Sequence, residues 1–211
     1  MKILSMPQGS AEWFSARMGV VTASQIDALV TPKWKVKTGA GPKTYLCEKI
    51  AERVMGYSQD QMNGGTFAMD QGKIVETIAA PWYEFTYDVK VDHVGFILSD
   101  DGFTGCSPDG IVDGKLGLEI KSPQPPAMVR YFIDGVVPDD YLPQIQFSMF
   151  VTGFAEWEFV AFSRHIPPLV VRVKRDPVAQ AAITEALELF RADFDAANTK
   201  LTAQLSSGGR A

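Results

Sequence analysis

The chain has 211 residues, 46% of them hydrophobic, and this composition is that of an ordinary globular protein, so we expect one domain over residues 1–205 and a disordered tail over 206–211. No apolar run approaches the ~20 residues of a membrane helix, and the first residues contain no long apolar stretch, so we expect neither a membrane helix nor a secretory signal. The two cysteines form no zinc or disulfide pattern, which favours a reducing cytoplasm. A formal charge of −5 argues against a protein that coats nucleic acid indiscriminately, although it permits a local basic groove.

The N-terminal segment contains a candidate anion site. We expect a short helix ending at Arg17, followed by a capping box that begins at Thr22 and opens a second helix over residues 25–30. Ser24 then lies in a first helical turn, where free N–H groups favour an anion, and Arg17 could bind a phosphate through two hydrogen bonds. The alternative is that Thr22 only caps the helix and Arg17 pairs with a surface acid.

Residues 31–43 are rich in lysine and contain no acidic residue. Gly39, Gly41 and Pro42 interrupt regular structure, so we expect a mobile basic loop. Lysines interleaved with an aromatic side chain can contact phosphates and lean against bases. The candidate nucleic-acid contacts are Lys33, Lys35, Lys37, Lys43 and Trp34. A solvated surface loop explains the same composition equally well.

Two amphipathic helices are predicted next, over residues 44–55 and 66–83, the first ended by Gly56 and the second kinked or ended by Pro81. The first is expected to bury an apolar stripe of Leu46, Ile50 and Val54. Glu76 lies among apolar residues in the middle of the second helix. A carboxylate on the inward side of a helix is costly unless it is paired or binds a metal, so Glu76 is a candidate site residue. An ordinary exposed glutamate is the alternative.

Residues 107–123 have the most informative pattern of the chain. Two apolar runs flank an Asp-Gly pair at residues 113–114, the dipeptide most typical of a two-residue turn, so we predict a β-hairpin. Side chains alternate along the second strand, which puts Glu119 and Lys121 on one face. Asp109 precedes the first strand and should lie across the hairpin from both.

Asp109, Glu119 and Lys121 have the chemistry of a metal-dependent nuclease. Mg²⁺ prefers oxygen ligands and keeps several waters, so one or two carboxylates and a substrate phosphate can hold it. Crowded carboxylates raise each other's pKa, and a divalent cation relieves that repulsion. A lysine beside them can orient or help deprotonate a water, since burial and a nearby cation lower the pKa of an ammonium. A cross-strand ion pair on a solvated face is the alternative.

The C-terminal half completes a mixed α/β fold. Strands are predicted over residues 89–98, 155–162 and 169–174, and helices over 127–134, 138–153 and from 176 onwards. Tyr141 and Gln144 are three residues apart on one helix and could both hydrogen-bond a phosphate or a metal-bound water, although capping or buried polar roles fit equally well. The last helix has an apolar stripe that packs either on the body or on a neighbouring subunit. The fold class is therefore α/β (α+β), with a central mixed sheet flanked by helices.

In order and spacing, these motifs resemble the lambda-type phage exonucleases of the PD-(D/E)xK nuclease superfamily. The similar features are Gln-Gly-x-x-x-Trp at residues 8–13, Arg-x-Gly-Val-Val-Thr-Ala-Ser at 17–24, Gly-Lys-x-x-Glu at 72–76, Cys-Ser-Pro-Asp-Gly at 106–110, Leu-Glu-Ile-Lys at 118–121 and Tyr-x-x-Gln-x-Gln-x-Ser-Met at 141–149. The resemblance implies a single exonuclease domain with a restriction-endonuclease-like core.

The resemblance also assigns roles to the candidate residues. The ligands of two Mg²⁺ ions per active site, for which Mn²⁺ can substitute, would be Asp109, Glu119, the Ile120 carbonyl and Glu76. The catalytic residues beside them would be Lys121, which positions the attacking water, with Tyr141 and Gln144. The 5′-phosphate-binding residues would be Arg17, Ser24 and Thr22.

The implied activity is processive 5′-to-3′ degradation of double-stranded DNA ends, which releases mononucleotides and leaves 3′ overhangs for phage-type recombination. The implied partners are two further copies of the chain, in a ring of three, and a single-strand annealing protein, in the cytoplasm of a bacterium that carries the phage or prophage. Two alternatives are a related endonuclease, which would cut a closed circular duplex, and a non-catalytic DNA-end or annealing-partner binding module, which would function without Asp109.

Overall fold

A computed structural model describes the backbone of residues 1–57 and 67–207, and their side chains apart from those of residues 67–74 and 76. The helices are α1 (Ala11–Arg17), α2 (Ala40–Met55), α3 (Phe67–Tyr87), α4 (Pro125–Asp134), α5 (Leu142–Thr152) and α6 (Pro177–Ser206). The strands are β1 (Lys2–Leu4), β2 (Val21–Thr22), β3 (Val91–Asp92), β4 (Phe96–Leu98), β5 (Thr104–Cys106), β6 (Gly110–Val112), β7 (Leu116–Lys121), β8 (Glu156–Ala161) and β9 (Leu169–Lys174). Short 3-10 helices cover Ala23–Ala28 and Asp139–Tyr141.

The strands form two mixed sheets flanked by helices. A four-stranded sheet has the order β1-β4-β5-β2, and a five-stranded sheet has the order β3-β6-β7-β8-β9. In the larger sheet β7 and β8 are parallel, while the other neighbours are antiparallel. The parallel pair requires a crossover, which α4 and α5 provide. The predicted mixed α/β class is confirmed, although the strands are divided between two sheets.

Helix α5 lies between two parts of the hydrophobic core. Its residues Phe147 and Val151 pack in a cluster that includes the first 3-10 helix, α2 and α6. On the other side Ile145 and Met149 pack with α4, β8 and β9. A helix that is apolar on both faces is buried, and burial fixes the start of α5 with respect to the larger sheet.

The predicted strand over residues 89–98 is wrong as a single element, because β3 and β4 belong to different sheets. The chain changes sheets at Gly95, whose N–H donates to Leu4 O at 3.0 Å. A Cβ on Gly95 would lie 2.0 Å from the Met6 carbonyl oxygen, so only glycine allows this close approach. The three-residue strand β5 was not predicted.

Helix α2 begins at Ala40, so Gly41, Pro42 and Lys43 are helical and not part of a loop. Proline is compatible with this position, because N–H groups in the first turn have no partner within the helix. The predicted stop at Gly56 is confirmed. The predicted apolar stripe is wrong at Val54, which is 52% exposed. The buried face of α2 consists of Tyr45, Lys49, Ile50 and Glu52.

Helix α3 continues through Pro81 to Tyr87, so the predicted end near residue 83 is wrong. Its described buried residues Ala79, Ala80 and Tyr83 pack against the larger sheet.

Helix α6 is capped by Asp176, whose Oδ1 accepts the Val178 N–H at 2.8 Å. Its predicted apolar stripe packs on the body of the same chain. The helix includes Ser206, so the predicted tail does not begin there, and residues 208–211 lie outside the described residues. Within the described part of the chain, no helix combines the length and the apolar character needed to span a membrane.

Candidate active site

The predicted hairpin is confirmed as β6 and β7, which pair antiparallel. Asp113 and Gly114 have φ of 51° and 67°, the left-handed values that a tight two-residue hairpin turn requires at both positions. The pairing brings Asp109 beside the end of β7. Its N–H donates to Leu118 O at 3.1 Å, and its Oδ2 accepts the Ile120 N–H at 2.5 Å. The first contact fixes the backbone of Asp109 against β7, and the second fixes its carboxylate.

The structure brings Glu119 and Lys121 together as predicted. Lys121 Nζ lies 2.5 Å from Glu119 Oε1, and Gln144 Nε2 donates to the same oxygen at 2.7 Å. The alternative of a solvated ion pair is wrong, because Glu119 is only 2% exposed. Its face of β7 is covered by the start of α5, which supplies Gln144.

The charges around Lys121 hold it as an ammonium ion. Burial alone would lower the pKa of Lys121, but the negative charges of Glu119 and Asp109 outweigh burial and raise this pKa above its ordinary value. The lowering of this pKa that a nearby metal cation would cause stays a prediction. An ammonium at this position can donate hydrogen bonds to a water or a phosphate oxygen, whereas it cannot accept a proton.

Tyr141 and Gln144 both lie beside the acidic cluster of Asp109 and Glu119 with its lysine, but the single helix predicted for them is divided, since Tyr141 ends a 3-10 helix and Gln144 lies in α5. The Tyr141 ring centroid lies 5.5 Å from Lys121 Nζ and 5.3 Å from the ring centroid of Phe159 on β8. Burial and a hydrogen bond to Tyr131 raise the pKa of Tyr141. Tyr141 is therefore a neutral phenol that packs against the lysine, and Gln144 is the direct partner of Glu119.

The segment before Asp109 is fixed by side chains from the N-terminal region. Trp13 Nε1 donates to Ser107 Oγ at 2.9 Å and to Gly95 O at 3.0 Å. Gln8 Nε2 donates to Pro108 O at 2.9 Å. The sequence contained the Gln-Gly-x-x-x-Trp motif, but it gave no role to these residues. Their contacts hold Ser107 and Pro108, the segment that directly precedes Asp109.

Arg17, Ser24 and Thr22 form a second polar cluster next to this segment. Arg17 Nη2 donates to Ser24 Oγ at 3.3 Å, and Arg17 Nη1 lies 3.5 Å from Ser107 Oγ. Thr22 Oγ1 lies 3.4 Å from Ser24 Oγ. The guanidinium stacks on Trp13, 4.1 Å from the ring centroid. We call Arg17, Thr22 and Ser24 the Arg17 cluster. Ser107, which the sequence did not single out, connects this cluster to the segment that ends at Asp109.

The predicted capping box is wrong. Residues 23–28 form a short 3-10 helix, and the Thr22 side chain accepts no capping hydrogen bond from it. The hydroxyl instead lies 3.4 Å from Gln25 Oε1. A helix this short has a weak dipole, so the positive charge of Arg17 is the main attraction for an anion here.

The lysine-rich segment is irregular as far as Gly39, as predicted, and contains a hydrogen-bonded turn. Thr31 N–H donates to Lys35 O at 2.9 Å, Lys37 N–H donates to Leu29 O at 2.7 Å, and Trp34 has a left-handed φ of 57°. Lys33, Lys35 and Lys43 are exposed. Lys37 and Lys43 line a cleft of about 540 Å³ between α2 and α6.

A third acidic ligand stays a prediction. Glu76 lies on α3, which packs against β7, but its side chain is outside the described residues. Among the side chains that the structure describes, no group of three His, Cys, Asp or Glu could hold a metal ion. Asp109 and Glu119 are therefore the candidate acidic ligands whose side chains the structure describes, and they and the Ile120 carbonyl stay predicted ligands.

The overall structure is similar to solved exonucleases. It matches an alkaline exonuclease from Laribacter hongkongensis with a TM-score of 0.82 and 27% identity, over 94% of this chain and 99% of that chain. The complex of that enzyme with dAMP gives the same TM-score, 28% identity and the same coverage. A phage related exonuclease from Haemophilus somnus has the same fold, with a TM-score of 0.63, 15% identity and coverage of 86% and 96%. The fold is therefore that of the alkaline exonucleases, and the chain is a nuclease.

Residues 12–155 match the YqaJ-like viral recombinase domain. Because this match covers more than half of the chain, the protein belongs to the YqaJ-like viral recombinase domain family. No curated protein matches the chain. The family agrees with the resemblance that the sequence motifs indicated.

Proposed function

We propose that this nuclease is an Mg²⁺-dependent exonuclease that degrades the 5′-phosphorylated strand of linear double-stranded DNA in the 5′-to-3′ direction. It releases mononucleotides and leaves 3′ overhangs for recombination. The observation that supports this most directly is that the segment from Ser107 to Asp109 links the Arg17 cluster to the acidic cluster. Two residues span at most about 7 Å, which is on the scale of one nucleotide. A terminal phosphate bound by Arg17 would thus place the first phosphodiester bond near Asp109.

The donor set of the acidic cluster fits Mg²⁺. Asp109 and Glu119 supply hard oxygen ligands, and the burial of Glu119 makes a cationic neighbour favourable. Asp109, Glu119 and the Ile120 carbonyl would hold one ion, and Glu76 would help to hold a second, with Mn²⁺ as a possible replacement. Bound Mg²⁺ would stabilise the charge that develops on the phosphate and lower the pKa of water.

The residues of the chain contribute mainly position and charge. Lys121, held as an ammonium, would orient the attacking water, and Gln144 would keep the Glu119 carboxylate in its rotamer by donating to Oε1. Arg17 would bind the 5′ phosphate together with the hydroxyl of Ser24. Donors that are already in place stabilise a developing negative charge without reorganisation. This division of roles also supports assignment to the PD-(D/E)xK superfamily.

The family description, a viral recombinase domain, supports a role in phage-type recombination. A single-strand annealing protein would be the partner, in the cytoplasm of a bacterium that carries the phage or prophage. Processive digestion would follow from a ring of three copies around the DNA. A ring would also reconcile the net charge of −5 with DNA binding, because the exposed lysines of residues 33–43 could face the DNA while acidic surfaces face outwards.

The proposed reaction is tested by digesting a linear duplex and a closed circular duplex, each with Mg²⁺ and with EDTA, and measuring mononucleotide release. We expect release from the linear duplex alone, only with Mg²⁺, and no release by an Asp109→Asn variant. Cutting of the circle would indicate an endonuclease. DNA binding without cleavage under every condition would indicate a non-catalytic binding module.

A further inference from the structure

One face of α2 binds the backbone between Arg17 and Thr22. Glu52 Oε2 accepts the Gly19 N–H at 2.8 Å, and Arg53 Nη2 donates to the Gly19 carbonyl oxygen at 3.1 Å. The N–H and the carbonyl group of Gly19 are therefore each bound by a side chain of α2, from two adjacent residues that lie 33 and 34 positions further along the chain.

Gly19 is a fixed turn and not a flexible link. Its φ is +66°, and a Cβ on Gly19 would lie 2.3 Å from Arg53 Cγ. A second contact lies beyond the turn, where Tyr45 Oη accepts the Thr22 N–H at 3.3 Å. Helix α2 therefore binds this segment at two points, and the spacing between the Arg17 guanidinium and the Thr22 hydroxyl depends on both.

The acceptor for Gly19 belongs to a buried ion pair. Glu52 is 7% exposed and Lys49 is 3% exposed, and Lys49 Nζ lies 2.9 Å from each carboxylate oxygen. A buried ion pair gives little net stability, because desolvation offsets the attraction, and well-packed apolar residues often replace it at no cost. The main contribution of Glu52 is therefore to fix the backbone of Gly19, whose N–H donates to the Glu52 carboxylate.

We infer that Glu52 is a positioning residue for recognition of the terminal phosphate. Its carboxylate fixes the Gly19 turn, and the turn sets the Arg17 guanidinium at hydrogen-bonding distance from Ser24 and Ser107. Loss of this contact weakens binding of a phosphate monoester at the DNA end, while the acidic cluster around Asp109 is unaffected. This inference rests on the proposed function, since it requires that the Arg17 cluster binds a 5′ phosphate.

The test compares two double variants that both lack the buried charges. Lys49→Met with Glu52→Leu removes the acceptor for the Gly19 N–H. Lys49→Met with Glu52→Gln keeps an amide oxygen at the same position and serves as the matched control. The readout is the ratio of kcat/KM for 5′-phosphorylated to that for 5′-hydroxyl duplex ends, together with the binding affinity of each duplex measured by fluorescence anisotropy. A loss of overall stability lowers both values of kcat/KM and leaves the ratio unchanged.

We expect the leucine variant to lose about tenfold in this ratio, through a higher KM for the phosphorylated end, and the glutamine variant to stay within about twofold of the wild type. Equal ratios in all three proteins would overturn the inference, and so would equal losses in both variants. If the leucine variant does not fold, Arg53→Met is used in its place. It replaces an exposed residue and removes the other side-chain contact with Gly19, and we expect the ratio of kcat/KM values to fall about threefold. An unchanged ratio in Arg53→Met would then overturn the inference. A wild-type protein without phosphate preference would overturn the proposed function itself, which is a separate result.

Discussion

At the residue scale, the carboxylate of Glu119 is the centre of the candidate active site. One of its oxygens accepts hydrogen bonds from Lys121 and from Gln144, and the residue is almost completely buried. A buried carboxylate is tolerated because these two donors offset its desolvation. The same contacts hold Lys121 in one place, next to the Asp109 carboxylate.

Replacement of Lys121 by alanine should abolish turnover and leave DNA binding intact. In the proposed reaction the ammonium orients the water, and loss of one positioned hydrogen-bond donor typically lowers the rate by about 10²- to 10³-fold. The measurement is single-turnover release of nucleotides, beside anisotropy with the same duplex. Lys115→Ala, on the exposed turn of the same hairpin, is the matched control and should behave as the wild type. A Lys121→Ala variant that degrades DNA at the normal rate would remove this lysine from the site.

The sequence was sufficient to group Asp109, Glu119 and Lys121, because all three belong to one hairpin whose turn and alternation are local properties. It could not assign Ser107. The contacts of Ser107 with Trp13 and Arg17 join residues 94 and 90 positions apart, and no local pattern encodes such a contact.

At the element scale, the packing of β7 against β8 supports the active site. The two strands pair in parallel along their whole length, from Leu116 opposite Glu156 to Lys121 opposite Ala161. Gly117 lies against the ring of the buried Trp157, and an added Cβ would be 2.3 Å from the nearest ring atom. Displacement of this ring would disturb the strand that carries Glu119.

Gly117→Ala should destabilise the protein by about 1–3 kcal/mol, since overpacking of a rigid aromatic neighbour forces the backbone or the ring to move. Urea unfolding followed by circular dichroism measures this change. Gly41→Ala is the control, because it lies in the first turn of α2 and an added Cβ would meet only the Ala28 carbonyl oxygen at 4.0 Å, so it should be neutral or stabilising by up to about 1 kcal/mol. Equal urea midpoints for the two variants would show that the contact between Gly117 and Trp157 does not affect the stability of the protein.

Elements with strong local signals were predicted, and those that depend on packing were not. The helix ends at Gly56, Gly135 and Gly153 were predicted, because a glycine in the left-handed conformation is a local stop. The buried face of α2 was predicted only in part, since Ile50 is buried and Leu46 packs on the core but Val54 is exposed. Hydrophobic periodicity favoured an apolar stripe, whereas burial of Lys49 and Glu52 depends on their pairing with each other and with Gly19.

At the scale of the whole molecule, the chain is acidic but presents a local cluster of exposed cations. The formal charge is −5, yet residues 31–43 contain four lysines and no acidic residue. The fold class was predictable from the order of helices and strands, but the division of the strands between two sheets was not, because it depends on long-range pairing such as β1 with β4. The structure also shows that α6 packs on its own chain, which the sequence left open.

The salt dependence of DNA binding should decrease when Lys33, Lys35, Lys37 and Lys43 are replaced by serine. Each phosphate contact contributes about −0.9 to the slope of log K against log salt concentration, so loss of several contacts flattens the plot. Anisotropy titrations between low and moderate salt give this slope. Serine replacement of Lys2, Lys90 and Lys115 is the control with a similar loss of charge elsewhere on the surface. An identical slope for the loop variant and the wild type would place these lysines away from the DNA.

In the proposed reaction, the Arg17 cluster selects a 5′-phosphorylated end for the acidic cluster to degrade. The most direct measurement uses one linear duplex with a 5′ phosphate at one end and a 5′ hydroxyl at the other, and a different label on each strand, in the presence of Mg²⁺. We expect rapid mononucleotide release from the phosphorylated strand and slow release from the other strand. This difference should be lost in Arg17→Ala and kept in the control Arg130→Ala, which replaces an exposed arginine. Equal release from both strands by the wild type, or digestion that begins at the 3′ ends, would contradict the proposed reaction.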